Sequence, residues 1–336
     1  MSNESETTSA ESQVELFREV FGRIEDEVHK VFVGHNDLVR DVLSVLFAGG
    51  HILLEGVPGI GKTLLARTLA STLKLSFSRI QFTPDLMPAD ITGTMVLFDK
   101  EGGGHELRFQ DGPLMANFVL ADEVNRATPK TQSAMLEAMQ EQQVTVARKT
   151  FALPQPFLVI ATQNPIEQEG TYVLPEAQLD RFLVKLLVGY PQEQEYHQIL
   201  ERTTGVADPE VEVVTSSAEL IALQKTVRQV AVSRQVQTYA IHLIQATQPG
   251  SSLAPETINR VVALGASPRG VQGLMLMGKV RALLGGRFAV SCQDIREVAA
   301  PVLRHRILLN LEGQTRRVSP DDLIRTVIDS VSELTE

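Results

Sequence analysis

The 336-residue chain carries a single cysteine, Cys292, so it can form no internal disulfide and assemble neither a zinc site nor a redox pair. That usage points to a reducing compartment. Basic residues are also short: 31 Lys and Arg against 41 Asp and Glu leave a formal net charge of −10. A protein living by a broad basic face on nucleic acid has the opposite sign. Aromatics make up only 5% of the residues, few for a chain that stacks bases. A long hydrophobic run is missing as well. The most apolar stretch, residues 39–54, is broken by Arg40, Asp41, a glycine pair and His51, and it falls short of the roughly 18 residues of a membrane span. Residues 1–13 are rich in Ser, Thr and Glu and have no basic start or apolar centre of the signal-peptide kind. The expectation is a flexible tail on a soluble, cytoplasmic protein.

What is present is globular. A 43% hydrophobic and 21% charged composition supplies a sizeable core and excludes disorder along the whole length. At about 150 residues per domain the length predicts two domains. Phe17, Val20, Phe21, Ile24 and Val28 recur at helical spacing, and a second helix is expected over residues 37–47, ending at Gly49-Gly50. Short unbroken apolar runs then follow at 51–55, 77–82, 118–121, 157–162 and 183–188, alternating with helical patterns. Runs without polar alternation suit strands buried on both faces of a parallel sheet. The fold class is therefore α/β, with a parallel five-stranded sheet. Past residue 190 no comparable strand run occurs. Helices are expected at 193–202, 217–229, 234–247, 255–264, 271–284 and 294–309, forming an all-α C-terminal lid domain over 191–336.

Directly after the first strand stands Gly56-Val57-Pro58-Gly59-Ile60-Gly61-Lys62-Thr63, and a helix opens at Leu64. Strand, G-x-x-x-x-G-K-[ST] and helix together are the context in which this pattern cradles phosphate: glycines turn successive amides inward, and the helix adds its positive end. Lys62 would reach the β- and γ-phosphates, and the Thr63 hydroxyl would hold Mg²⁺. The glycines do not fall at the G-x-G-x-x-G spacing, so ATP is favoured over a dinucleotide. The third strand ends in Asp122-Glu123. Asp122 suits the Mg²⁺ shell, and Glu123 suits polarising the attacking water in an in-line phosphoryl transfer. The fourth strand runs into Gln163-Asn164-Pro165, where the Asn164 amide would hold the lytic water or the γ-phosphate, or simply form a turn.

These segments, with Val124-Asn125-Arg126 and Leu174-Pro175-Glu176-Ala177-Gln178-Leu179-Asp180-Arg181-Phe182, resemble the motif series of MoxR-type AAA+ ATPases from about Val31 to the C-terminal helices. The resemblance implies an AAA+ core over 14–190, with β-hairpin inserts near 91–110 and 144–153, below the helical lid. It assigns Lys62 and Thr63 to Walker A, Asp122 and Glu123 to Walker B, Asn164 to sensor 1 and Arg181 to the arginine finger of a neighbouring subunit. Gly265-Ala266-Ser267-Pro268-Arg269-Gly270 matches the sensor 2 segment, with Arg269 as its arginine; the sequence leaves open whether Arg269 serves its own or an adjacent nucleotide. An ion pair with Asp180 is the alternative for Arg181, and a plain surface position that for Arg269. Val33 and Gly34 fall on the adenine side. Gln81 is placed either to hold Glu123 or as an ordinary strand polar group, and Arg126 as an intersubunit contact. Arg148-Lys149 at the second hairpin tip would face a ring pore or solvent.

The resemblance further implies a homo-oligomer, a hexamer, that uses ATP and Mg²⁺ to remodel or mature a protein client beside a von Willebrand factor A domain partner. Competing readings are a chelatase-type metal-insertion motor, a nucleic-acid motor and a nucleotide-gated assembly switch. Six chains would carry about −60 formal charges, a field that disfavours unspecific nucleic-acid binding.

Overall fold

The computed structural model describes residues 2–57, 59–99, 104–164, 172, 174–204 and 210–333. Pro58, Pro165 and residues 100–103 within the expected hairpin insert near 91–110 lie outside them.

Helix α1 (Ser2–Val31) is followed by α2 (Asn36–Ala48), β1 (Ile52–Gly56) and α3 (Lys62–Thr72). The expected break at residue 13 is not a backbone boundary, because the helix begins at Ser2. No Gly or Pro interrupts the chain before Gly22, so nothing in the Ser- and Glu-rich start stops a helix that is anchored further on. That anchor is aromatic: Phe17 of α1 meets Phe47 of α2 edge to face at 5.0 Å, and both are fully buried.

The remaining sheet strands are β2 (Phe77–Gln81), β5 (Phe118–Asp122), β8 (Leu158–Gln163) and β9 (Val184–Val188). With β1 they form one five-stranded sheet in the order β2-β5-β8-β1-β9, every pairing parallel. Alternate residues serve opposite faces. Ile52, Leu54, Leu120 and Ile160 join a core with α1, α2, α3 and the lid helices, whereas Leu53, Val119, Ala121 and Val159 join a second core under α5 (Pro129–Glu141). Burial on both sides is why these strands read as unbroken apolar runs.

Two antiparallel hairpins stand off this core. One pairs β3 (Gly93–Asp99) with β4 (His105–Asp111) after the short helix α4 (Pro88–Thr92); the other pairs β6 (Gln143–Val146) with β7 (Lys149–Ala152). Arg148 occupies the second tip with φ +66°.

After the short helix α6 (Glu176–Leu179) and β9, the chain passes through α7 (Glu193–Thr203), α8 (Ser217–Gln229), α9 (Arg234–Ala246) and α10 (Glu256–Val261). There follow α11 (Pro268–Leu284), α12 (Cys292–Leu303), α13 (Leu311–Thr315) and α14 (Pro320–Ser330). The lid is not helical throughout. The helices expected over 255–264 and 294–309 stop at Val261 and Leu303, and the freed ends, β10 (Val262–Leu264) and β11 (Leu308–Leu309), pair antiparallel. Segments of two or three residues carry no readable period. No helix among the described residues is long and apolar enough to cross a membrane.

Candidate functional site

The C-terminal edge of the parallel sheet gathers the chemistry, as open α/β sheets do. From β1 the chain turns through Gly59 (φ +84°) and Gly61 (φ +79°), a left-handed geometry that only glycine adopts without strain. Gly61 caps α3, so Lys62 and Thr63 open the helix at its positive end. Lys62 Nζ donates to Gly56 O at 2.8 Å, folded back over its own loop. Burial pushes its pKa down, and the Asp122 and Glu123 carboxylates work against that shift.

A cavity of about 290 Å³ opens here, lined by Gly59, Gly61, Lys62 and Thr63 on one side and by Asp122, Glu123, Thr162 and Asn164 on the other. The three strand-end segments singled out in the sequence thus meet around one space. Asp122 ends β5, and its Oδ1 accepts the Thr162 hydroxyl at 2.6 Å. The Glu123 amide donates to the same hydroxyl oxygen at 2.9 Å. Glu123 itself has φ +56°, a conformation that costs a carboxylate residue about 1–3 kcal/mol and is typical of functional positions. Its Oε2 accepts from Gln81 Nε2 at 2.8 Å and pairs with Arg126 Nη1 at 3.1 Å. Gln81 therefore holds Glu123, and Arg126 lies within the chain's own acidic cluster. Thr162, which fixes both acids, was missed: a threonine inside a strand run gives no local signal.

Beside the phosphate loop lies an apolar cavity of about 330 Å³, walled by Phe32, Val33, Ile60, Leu64, Tyr190 and Tyr196 among others. Val33 is in the wall. Gly34 is in the turn behind it (φ +73°), where a Cβ would sit 2.4 Å from Glu195 Oε1. Val57 lines neither cavity. Helix α7 clamps this wall at two points. Glu195 Oε1 accepts the His35 amide at 2.8 Å, and Arg202 Nη1 donates to His29 O and to Lys30 O at 2.8 Å. The Gln192 amide, helped by that of His35 and opposed by burial, holds the Glu195 carboxyl below the usual range. Tyr190, Tyr196 and Arg202 were not foreseen, since they reach the site only through tertiary packing.

Arg181 and Arg269 go elsewhere. Both line a separate cavity of about 230 Å³ together with Met139, Asp180 and Arg306, and the phosphate loop forms no part of its wall. Leu183 N donates to His51 O just ahead of β1, so Arg181 stands at the N-terminal edge of the sheet. The phosphate loop leaves the other edge of this five-residue strand, roughly 16 Å away. Arg181 Nη1 donates to Leu136 O at 2.6 Å, and its buried Nε has no hydrogen-bond partner among the described residues. It does not take Asp180, whose Oδ1 accepts from Arg306 Nε at 2.7 Å.

Comparison with known proteins agrees with this geometry. The profile of the ATPase family associated with various cellular activities matches residues 51–184, and an AAA lid domain profile matches 256–327. The chain is 44% identical over 306 residues to Chaperone MoxR1 of Mycobacterium tuberculosis, covering 91% of this chain and 80% of that protein. It is 32% identical to Protein MoxR of Methylorubrum extorquens, covering 94% and 95%. A crystal structure from Cytophaga hutchinsonii, provisionally described as an ATPase, superposes with a TM-score of 0.91 at 40% identity, over 98% of this chain and 99% of that one.

Proposed function

The chain belongs to the MoxR family of AAA+ ATPases, and on that premise we propose that it hydrolyses ATP at sites completed between copies of itself in a ring, a hexamer, and spends the cycle on remodelling or maturing a protein client. The observation that carries this reading is the separation of the arginines from the phosphate loop: Arg181 and Arg269 share one cavity at the opposite sheet edge from Lys62. A subunit built this way offers a nucleotide on one face and two guanidinium groups on another. Copies arranged head to tail satisfy both, and such contacts make a ring when the rotation between copies closes.

In this reading the Gly56 to Thr63 loop and the α3 N-terminus bind the phosphates, and Leu64 and Val33 border the base. Lys62 leaves Gly56 O for the β- and γ-phosphates. Glu123, set by its own backbone and once freed from the Gln81 amide, polarises the attacking water. Asn164 orients that water or the γ-phosphate. Arg181 and Arg269 of the neighbouring copy neutralise charge on the equatorial oxygens, a contribution on the order of 10³ to 10⁵ in rate for an arginine finger. Thr63 and Asp122 fit Mg²⁺: a hydroxyl and a carboxylate in one cavity leave the remaining octahedral positions to phosphate oxygens and water. When bound, the ion supplies charge neutralisation across the phosphates.

A relative named as a chaperone supports the client-directed role. A von Willebrand factor A domain partner and action in the cytoplasm belong to the same proposal. The test is complementation. Neither an R181A chain nor a K62A chain hydrolyses ATP alone, whereas mixing them restores turnover, because some interfaces then join an intact phosphate loop to an intact arginine. Absence of rescue in rings verified to contain both chains defeats the shared-site reading.

A further inference from the structure

The phosphate cavity has one more cationic wall residue, which the sequence did not single out. Arg79 lies on β2, whose register sets it opposite Leu120, two residues short of Asp122 on β5. Its side chain spans that offset. Arg79 Nη2 donates to Asp122 Oδ2 at 2.7 Å and to Gln81 Oε1 at 2.9 Å. Arg79 and Gln81 share a strand face, being two residues apart, so the guanidinium meets the amide from its own side. Gln81 Nε2 then donates to Glu123 Oε2 at 2.8 Å. A continuous path therefore runs from Asp122 through Arg79 and Gln81 to Glu123.

Which end of the Gln81 amide faces Glu123 is settled by this path. The oxygen is engaged by Arg79, leaving the nitrogen for the carboxylate. With Arg79 withdrawn, the amide is free to rotate, and Glu123 loses the Gln81 donor while keeping its ion pair with Arg126. Lys62 does not substitute for Arg79, being bonded to Gly56 O. Arg79 is also poised to leave: its side chain is 47% exposed, and its Nε and Nη1 make no hydrogen bond among the described residues.

We propose that Arg79 is the resident counter-cation of Asp122: it neutralises the carboxylate and fixes the Gln81 amide on Glu123, and it yields both when Asp122 turns to the cation that accompanies a nucleotide. Arg79 is a positioning residue, coupling occupancy at Asp122 to release of Glu123. This rests on the phosphate-loop reading above.

The test uses Mn²⁺ as the probe, followed by electron paramagnetic resonance on the full chain saturated with ADP. R79M removes the competitor, so Mn²⁺ binds roughly three- to fivefold more tightly, the size of an exposed ion pair; R79K, which keeps the charge, stays closer to the parent. Unchanged or weaker Mn²⁺ binding in R79M overturns the proposal. Basal ATP turnover supplies the second readout. R79M and Q81A each raise it, and the double variant goes no further than either, since both act through one chain of contacts. Additive effects, or a fall in turnover for R79M, overturn the coupling. R79Q repeats the measurement should R79M fold poorly. Failure of the parent chain to bind ADP defeats the phosphate-loop reading itself, whereas normal ADP binding with Mn²⁺ affinity indifferent to residue 79 defeats the Arg79 proposal alone.

Discussion

Asp180 Oδ2 accepts the Ser267 hydroxyl at 2.8 Å, joining the residue before Arg181 to the residue that caps the helix bearing Arg269. The core arginine and the lid arginine are thus set by one carboxylate, whose other oxygen takes Arg306 Nε at 2.7 Å. Ser267 Oγ also accepts the Arg269 amide at 3.1 Å, so S267A removes an N-cap and the core-lid bond together. A stability loss of about 1–2 kcal/mol is expected, with turnover falling more than ADP affinity. D180A is harsher. The Arg306 side chain is only 3% exposed, and leaving its charge uncompensated costs about 3–5 kcal/mol. Thermal melts together with ADP titration check both, and a D180A chain as stable as the parent would contradict this account.

Lys62→Ala removes the charge that must meet the phosphates. Charge-assisted hydrogen bonds contribute about 1.5–3 kcal/mol each, so ADP affinity falls roughly ten- to a hundredfold or more, with the fold intact. Calorimetric titration reads this directly. Undiminished affinity would remove the phosphate-loop assignment, and with it the reading of the 290 Å³ cavity.

What the sequence disclosed and what it concealed divide by distance along the chain. The phosphate loop, Asp122-Glu123 and Asn164 were legible as candidates for one cavity because each stands in consecutive residues at a strand end. Gln81 was visible only as an open choice, resolved by its bond to Glu123. Arg79 and Thr162 act through strand register, with partners about forty positions away, and no local pattern signals that. Arg202 reaches His29 and Lys30 across more than 170 positions. For Arg181 the structure speaks only to the alternative, an ion pair with Asp180, which is taken by Arg306 instead. The short lid ribbon of β10 and β11 was unreadable for a different reason: five residues in all carry too little periodicity.

Glu123→Gln keeps the shape and the hydrogen-bond reach of the side chain while removing its basicity. ATP binding is retained, and turnover falls by about a hundredfold or more, the usual contribution of a positioned base. Such a chain holds ATP long enough to retain its client, so affinity capture in ATP, compared with ADP, names the partner. Normal turnover in E123Q would take this residue out of the water-activating role.

The acid limb of stability provides a last prediction, in which a buried histidine and a partly buried carboxyl oppose each other. His51 is fully buried and neutral: its Nδ1 accepts the Val159 amide at 3.1 Å, its Nε2 donates to Met139 O at 3.2 Å, and burial pushes its pKa down to about 4. Between about 4 and 6.5 the unfolded chain binds a proton there that the native chain refuses, so stability falls as pH drops, by roughly 3 kcal/mol over the window. His305, also buried and beside Arg306, acts in the same direction. Asp41 does the reverse. Burial raises its pKa from 3.8 to about 6, so the native carboxyl keeps a proton that the unfolded chain loses, and stability falls as pH rises through that range. The parent chain therefore shows a shallower acid limb than its two histidines alone would give. D41N should steepen that limb and stabilise the protein at pH 7 by about 2–3 kcal/mol. H51Q, whose amide can replace both ring contacts, should flatten it. Denaturant melts at pH 4.5 and pH 7 separate these slopes, and identical pH dependence in all three chains would rule out both assignments.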